Sequence, residues 1–399
     1  MSRPSTSTRA ARLRPPAPPR STAALLALLV AGCASGGASS AERAPSADPG
    51  APGANRPAVA DAAAPATAAG AGTPAGYRIY VGTESADAVA VVEGGTWKVL
   101  RQIPVGISIE DTEGVHGLGV APDGRHWYIS LAHGFPYGTI WKFSTSGDSL
   151  AGKTEVGNFP ATIGITPDGA WLFVVNYNLH GDKAVDTISA VYTPTMTQVT
   201  QIPACVKPHG LDVSRDGRFV VVTCTRDDTI LRVDVATLKE TARGSVRLPE
   251  EEAAGEDCYA TGVQVLPGGN RAYVSCGHAN EIRVVDLATL EVTARIAGCE
   301  GAYLLRLDPE ARRLWVPCRS GQEFVVVDTA TDRIVGRVPT TREFPHTAAF
   351  SPDGRHALLT QESRGVVPGA LDVVERESLR KVASVDVGLQ ATGIGVVAD

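Results

Sequence analysis

Residues 116–131, HGLGVAPDGRHWYISL, set out the plan of the chain: a short apolar segment, a Pro-Asp-Gly turn and a second apolar segment running back. Aspartate caps such a turn with its own carboxylate and glycine supplies the positive φ, so the stretch predicts a β-hairpin. Working outward, the same register returns as ATIGITPDGAWLFVVN (161–176), HGLDVSRDGRFVVVTC (209–224), TGVQVLPGGNRAYVSC (261–276), YLLRLDPEARRLWVPC (303–318) and HTAAFSPDGRHALLTQ (346–361). Each unit continues into a third strand and another turn, as in LRVDVATLKE (231–240), IRVVDLATLEV (282–292) and FVVVDTATDRI (324–334), and then a fourth strand.

Four strands recurring every 42 to 52 residues are the period of a β-propeller blade. The chain ends supply a seventh unit. YRIYVGT, from Tyr77, is a second strand without its first, and ATGIGVV (391–397) is a first strand alone. Joined, they make one blade, so the expected fold is all-β: a seven-bladed propeller over residues 77–399, closed by pairing of the C-terminal strand with the N-terminal blade.

The strand ends YVGT (80–83), YISL (128–131), FVVN (173–176) and YVSC (273–276) resemble the YVTN propeller repeat. Residues 77–399 as a whole resemble the YncE-like family of exported seven-bladed propellers. The resemblance implies the fold but no single chemistry. Relatives by fold include lactonases, amine-dehydrogenase heavy chains and the haem-binding domain of dissimilatory nitrite reductases, so function has to be argued from the site.

Residues 1–32 carry Arg3, Arg9, Arg12, Arg14 and Arg20, no acidic residue, and an apolar run from Ala23 to Ala31. That is the plan of a signal peptide, too short to span a bilayer as a helix. Its end, Val30-Ala31-Gly32-Cys33, resembles a bacterial lipobox, which implies lipidation at Cys33 and a membrane partner through that anchor. Residues 33–76, nearly all Ala, Gly, Pro and Ser, lack the apolar pattern needed to fold and read as a disordered tether reaching on the order of 35 Å. The expected location is the cell envelope, on the periplasmic or extracellular side; the absence of aspartate at Ala34 favours the outer membrane. With a net charge of −6 and no basic cluster after Arg20, nucleic acid is not an expected partner.

Beyond Cys33 there are six cysteines. Cys224, Cys276 and Cys318 share the end of the second strand, and Cys205, Cys258 and Cys299 precede the first strands of the same blades. Antiparallel strands bring these positions together, so the register predicts Cys205–Cys224, Cys258–Cys276 and Cys299–Cys318 disulfides; thiolates holding a soft metal such as Cu(I) are the alternative.

His116, His209 and His346 occupy one column at the start of the innermost strand, while His133, His180 and His278 follow the second strand; all six belong at one channel mouth and are candidate metal ligands. His126 and His356 belong at the opposite end. Acidic residues lie close in sequence, including Glu110, Asp111, Glu113, Glu250, Glu251, Glu252, Glu256, Asp257 and Glu343. Asn176 and Asn178 could fix a polar ligand beside His180, and Arg226, Arg319 and Arg364 follow the same strand end in blades 4, 6 and 7, from which a carboxylate or lactone could be clamped.

No GxSxG, HExxH, phosphate loop, CxxC or CxxCH is present. The first expectation is therefore a module binding a small molecule or an envelope protein through the mouth. The second is a copper or non-covalent haem protein using the histidines, and the third a lactonase-like hydrolase in which His, Glu and Arg activate water.

Overall fold

The computed structural model describes residues 76–108, 111–179, 181 and 186–399. The predicted signal peptide, nearly all of the tether, Cys33, Glu110 and His180 lie outside the described residues. Seven four-stranded antiparallel sheets follow one another around a ring, each numbered here as a blade from its innermost strand outward. Among the described residues no helix is long and apolar enough to cross a membrane.

Blade 1 is the composite: Ala391–Ala398 is its inner strand, followed by Tyr77–Thr83, Ala88–Glu93 and Val99–Pro104. Ile79 pairs with Val396 and Val81 with Ile394, as the two sequence fragments require. Just outside the pairing, the Asp399 N–H donates to the Gly76 carbonyl at 2.8 Å, so the chain enters and leaves the ring at one place.

Burial explains why these segments are strands. The second strands, such as Trp171–Asn176 and Phe219–Cys224, are buried on both faces and read as nearly continuous apolar runs. The outermost strands, such as Thr197–Pro203, alternate exposed and part-buried positions because one face meets solvent. Trp127 and Trp315 are wholly buried and pack between blades, while Trp171 is part-buried.

The turn tetrads do what their chemistry dictates. Asp123, Asp168, Asp216 and Asp353 each accept the N–H two residues on, at 2.9 to 3.1 Å. Gly124, Gly169, Gly217 and Gly354 hold φ between 69° and 71°.

Blade 6 departs from the expectation. Its first strand is reduced to Arg306–Leu307, with Ala302 joined to Cys318 by an isolated bridge. Pro317 accepts the Tyr303 N–H at 3.0 Å but has no N–H to return, so the ladder breaks where the other blades continue it.

The three predicted disulfides are present: Cys205–Cys224, Cys258–Cys276 and Cys299–Cys318, in consecutive blades 4 to 6. Each ties the entrance of an inner strand to the end of its neighbour.

Candidate functional site

Repeat register builds the site from two rings. The residue opening each inner strand pairs with the last residue of the second strand, as Val115 does with Leu131 and Pro208 with Cys224. The next residue along is therefore equivalent in every blade. From blade 1 to blade 7 it is Thr392, His116, Ala161, His209, Thr261, Tyr303 and His346. The aromatic members meet: ring centroids lie 5.8 Å apart for His116 and His209, 5.6 Å for His116 and His346, and 5.3 Å for Tyr303 and His346.

The second ring consists of the residue just after each second strand. In every blade its N–H donates to the carbonyl of the residue preceding the inner strand: Glu84 to Gln390, Tyr177 to Phe159, Arg319 to Gly301, Glu362 to Phe344 and likewise in the remaining three, at 2.8 to 3.2 Å. The accepting residue has positive φ in all seven blades, although only Gly114 and Gly301 are glycines. Phe159 at 50°, Tyr259 at 57° and Phe344 at 54° are bulky residues held in the left-handed region, a conformation that costs on the order of 1 kcal/mol each and that clusters at functional sites.

Together the rings enclose a cavity of about 510 Å³ at the mouth, bordered by Glu84, His116, His209, Tyr303, Arg319 and Glu362 among others, with Phe159, Tyr177 and Tyr259 on its wall. Glu84 sits in the short turn Glu84–Ala86 and is buried. Its Oε2 accepts from His116 Nδ1 at 3.0 Å and its Oε1 from His133 Nε2 at 2.8 Å. Burial pushes the carboxyl toward neutrality, but the two imidazoles outweigh it and hold Glu84 far below the carboxylate range. Burial also opposes charge on His116; Glu84 more than offsets it and raises the imidazole above its ordinary pKa.

His209 is different. Burial, and then the charge of His116, take it down to about 3, so it is neutral. Its Nδ1–H donates to the Thr261 carbonyl at 3.2 Å, leaving Nε2 to accept the Tyr303 hydroxyl at 3.2 Å. His346, wholly buried, is lowered well below the usual value by burial and His116. Neither of its ring nitrogens has a hydrogen-bond partner, and neither has Nε2 of His116. Arg319 forks onto Glu362 and lies over the Tyr303 ring at 4.5 Å, the pairing that keeps its guanidinium charged against burial.

The predicted inner-column histidines thus converge, and His133 joins them through Glu84. His278 instead stacks on Tyr259 at 4.4 Å and pairs with Asp257 at the rim. His126 and His356 lie away from this cavity, His356 against Trp97 at 5.2 Å. Among the described residues the one set of three His, Cys, Asp or Glu ligand atoms lying mutually within 4.8 Å is Cys205, Cys224 and Asp227, and its cysteines are joined to each other. The histidine nitrogens do not form such a set.

Other predicted contacts are structural. Glu113 accepts the N–H groups of Ile107 and Ser108, and Glu251 pairs with the fully buried Arg283. Glu343 pairs with Arg364 in solvent, and of the three predicted arginines Arg319, directly after its strand, is the one that pairs with a carboxylate at the cavity, Arg226 and Arg364 lying two and three residues beyond theirs. Asn176 donates to Thr187 and Ser189, and Asn178, at φ 54°, donates to Asp186.

Glu84, Glu362, Tyr303 and the wall aromatics were not anticipated. Their signal was available: Glu84, Tyr177, Arg319 and Glu362 share one repeat position, directly after the second strand.

The family model described as "Lactonase, 7-bladed beta-propeller" matches residues 109–378. The chain belongs to this lactonase-type propeller family. No curated protein matches it. Among solved structures, the periplasmic gluconolactonase of Pseudomonas aeruginosa superimposes with a TM-score of 0.65 at 19% identity, over 81% of this propeller's chain and 99% of that one. A putative 6-phosphogluconolactonase from Bacteroides uniformis gives 0.63 at 15% identity, over 81% and 99%. The dihydro-heme d1 dehydrogenase NirN gives 0.54 at 17%, over 79% and 74%. At such identities these likenesses to the lactonase-family chain speak for the fold alone.

Proposed function

We propose that this propeller hydrolyses a neutral sugar lactone, of the kind a gluconolactonase takes, at the mouth cavity. The observation that carries the proposal is the Glu84–His116 pair: a buried carboxylate fixes Nδ1–H of the imidazole, leaving Nε2 as the basic atom. In the proposed step His116 Nε2 takes a proton from water while the water oxygen forms a bond to the lactone carbonyl carbon. The tetrahedral oxyanion meets the field of Arg319 and the hydroxyl groups of Tyr177 and Tyr259 on the cavity wall. The ring C–O bond then breaks, and the departing alkoxide takes the proton from His116.

Charge favours an uncharged substrate. Glu84 and Glu362 both border the cavity, and Arg319, its guanidinium, is already forked onto Glu362. A phosphorylated lactone would meet two carboxylates without an uncommitted cation. Phe159, Tyr177 and Tyr259 offer ring faces for the C–H face of a sugar. The test is hydrolysis of glucono-1,5-lactone, followed by acid release above the spontaneous rate and compared with its 6-phosphate. Acceleration of the neutral lactone, abolished by His116→Ala, is expected; a rate equal to buffer sinks the reading.

Export and lipid anchoring at Cys33 are part of the same proposal. Three disulfides suit an oxidising compartment, and the sequence before Cys33 supplies the signal. The narrower kinship with YncE-like propellers is likewise proposed from the repeated strand ends.

A further inference from the structure

Deeper in the channel the register defines another ring, the residue opposite the fourth position from the end of each second strand. It is glycine or alanine in four blades, whereas blades 4, 5 and 6 place Asp212, Gln264 and Arg306 there. These three border a chamber of about 320 Å³ toward the face opposite the mouth. Asp212 Oδ2 accepts the Val265 N–H at 2.7 Å and the Gln264 amide, whose Oε1 accepts the Leu307 N–H at 3.2 Å. Asp212 and Gln264 are thereby committed.

Arg306 is not. Its side chain makes no hydrogen bond or ion pair among the described residues, and Asp212 acts on it only at a distance. The surrounding protein disfavours its charge, yet a guanidinium does not give up its proton, so the five donors of this part-buried side chain face the chamber with no protein acceptor among the described residues.

We infer that this far-side chamber binds the carboxylate of a small organic monoacid in the fork of Arg306. A planar fork matches a carboxylate's two oxygens. The charge of Asp212 on the same ring opposes doubly charged anions such as sulfate, and Ile163, Ile165, Leu211 and Val213 line the chamber with hydrocarbon for the acid's body. The site is separate from the lactone reading. Between them lies the histidine ring, with beneath it a space of about 20 Å³, room for roughly one water.

The test is calorimetric titration of the full chain with butyrate at neutral pH. One butyrate per chain is expected, with binding about tenfold or more weaker in Arg306→Met, and also weaker in Arg306→Lys, which keeps the charge but loses the fork. His116→Ala should bind butyrate as the wild type does. Absence of binding, undiminished binding in Arg306→Lys, equal binding of sulfate, or loss of binding in His116→Ala would each overturn the assignment. The last of these would place butyrate at the mouth.

Discussion

Glu84 Oε2 accepts the Nδ1–H of His116 at 3.0 Å across the boundary between blades 1 and 2, with Glu84 buried and ionised. Glu84→Gln keeps the shape but exchanges an acceptor for an NH₂ group facing an imidazole N–H. Lactone turnover should fall by about two orders of magnitude with KM little changed, the scale of a lost general base. Steady-state kinetics on gluconolactone, beside circular dichroism to verify folding, measures this.

The same contact fixes a pH dependence. His116 must be neutral to accept a proton, and Glu84 raises its pKa above the ordinary value of about 6.5. Turnover should therefore climb with pH through a midpoint above that value and then level off. In Glu84→Gln the residual activity should show its midpoint at lower pH; an unmoved midpoint would assign the base elsewhere.

His209 and His346 make an opposite demand on stability. Both are buried neutral, His209 with a folded pKa of about 3, so the unfolded chain binds protons that the folded chain refuses. Stability is complete above about pH 6.5 and falls as pH drops from there toward 3, by about 1.4 kcal/mol per unit for each histidine. His116, raised rather than lowered, is already charged in this window and adds no slope. Urea midpoints at stepped pH, in wild type and His346→Phe, should show a shallower acid loss in the variant.

Disulfides in three adjacent blades predict a second stability measurement. Opening Cys258–Cys276 by replacing both with serine should cost about 3 kcal/mol, the loop being short and the sulfurs buried. Alkylation of the folded, unreduced protein should leave all six propeller cysteines unmodified.

Closure gives a fifth expectation. Ile394 faces Val81 in the composite blade, and its replacement by aspartate puts an unpaired charge at the seam. Loss of at least about 3 kcal/mol and a tendency to associate through the opened edge should follow, read by urea titration and size-exclusion chromatography.

The fold was legible because its information is repeated. Six turn tetrads, each with the residue chemistry of its turn, fixed the period, and the unequal ends, Tyr77–Thr83 and Ala391–Ala398, told how the ring closes. The disulfides followed from the same register. Blade 6 was misread because one residue, Pro317, breaks its inner ladder without disturbing the surrounding pattern. At the site, identical residue types stood out, so the histidine column was found. Glu84 was missed since blade 1 is split between the termini and its loop never aligned with the others. Conversely, the acidic run Glu250–Glu252 suggested a mouth function, whereas Glu251 and Glu281 enclose the guanidinium of Arg283 inside the protein. Proximity in sequence could not reveal that partner, which lies on another strand.

The hydrogen bond between Asp399 and Gly76 has a geometric corollary. Tyr77 begins at the end of its strand remote from Glu84, so the polypeptide joins the disc from behind, with the opening on the front. Asp399 therefore ends on that rear surface, away from the opening.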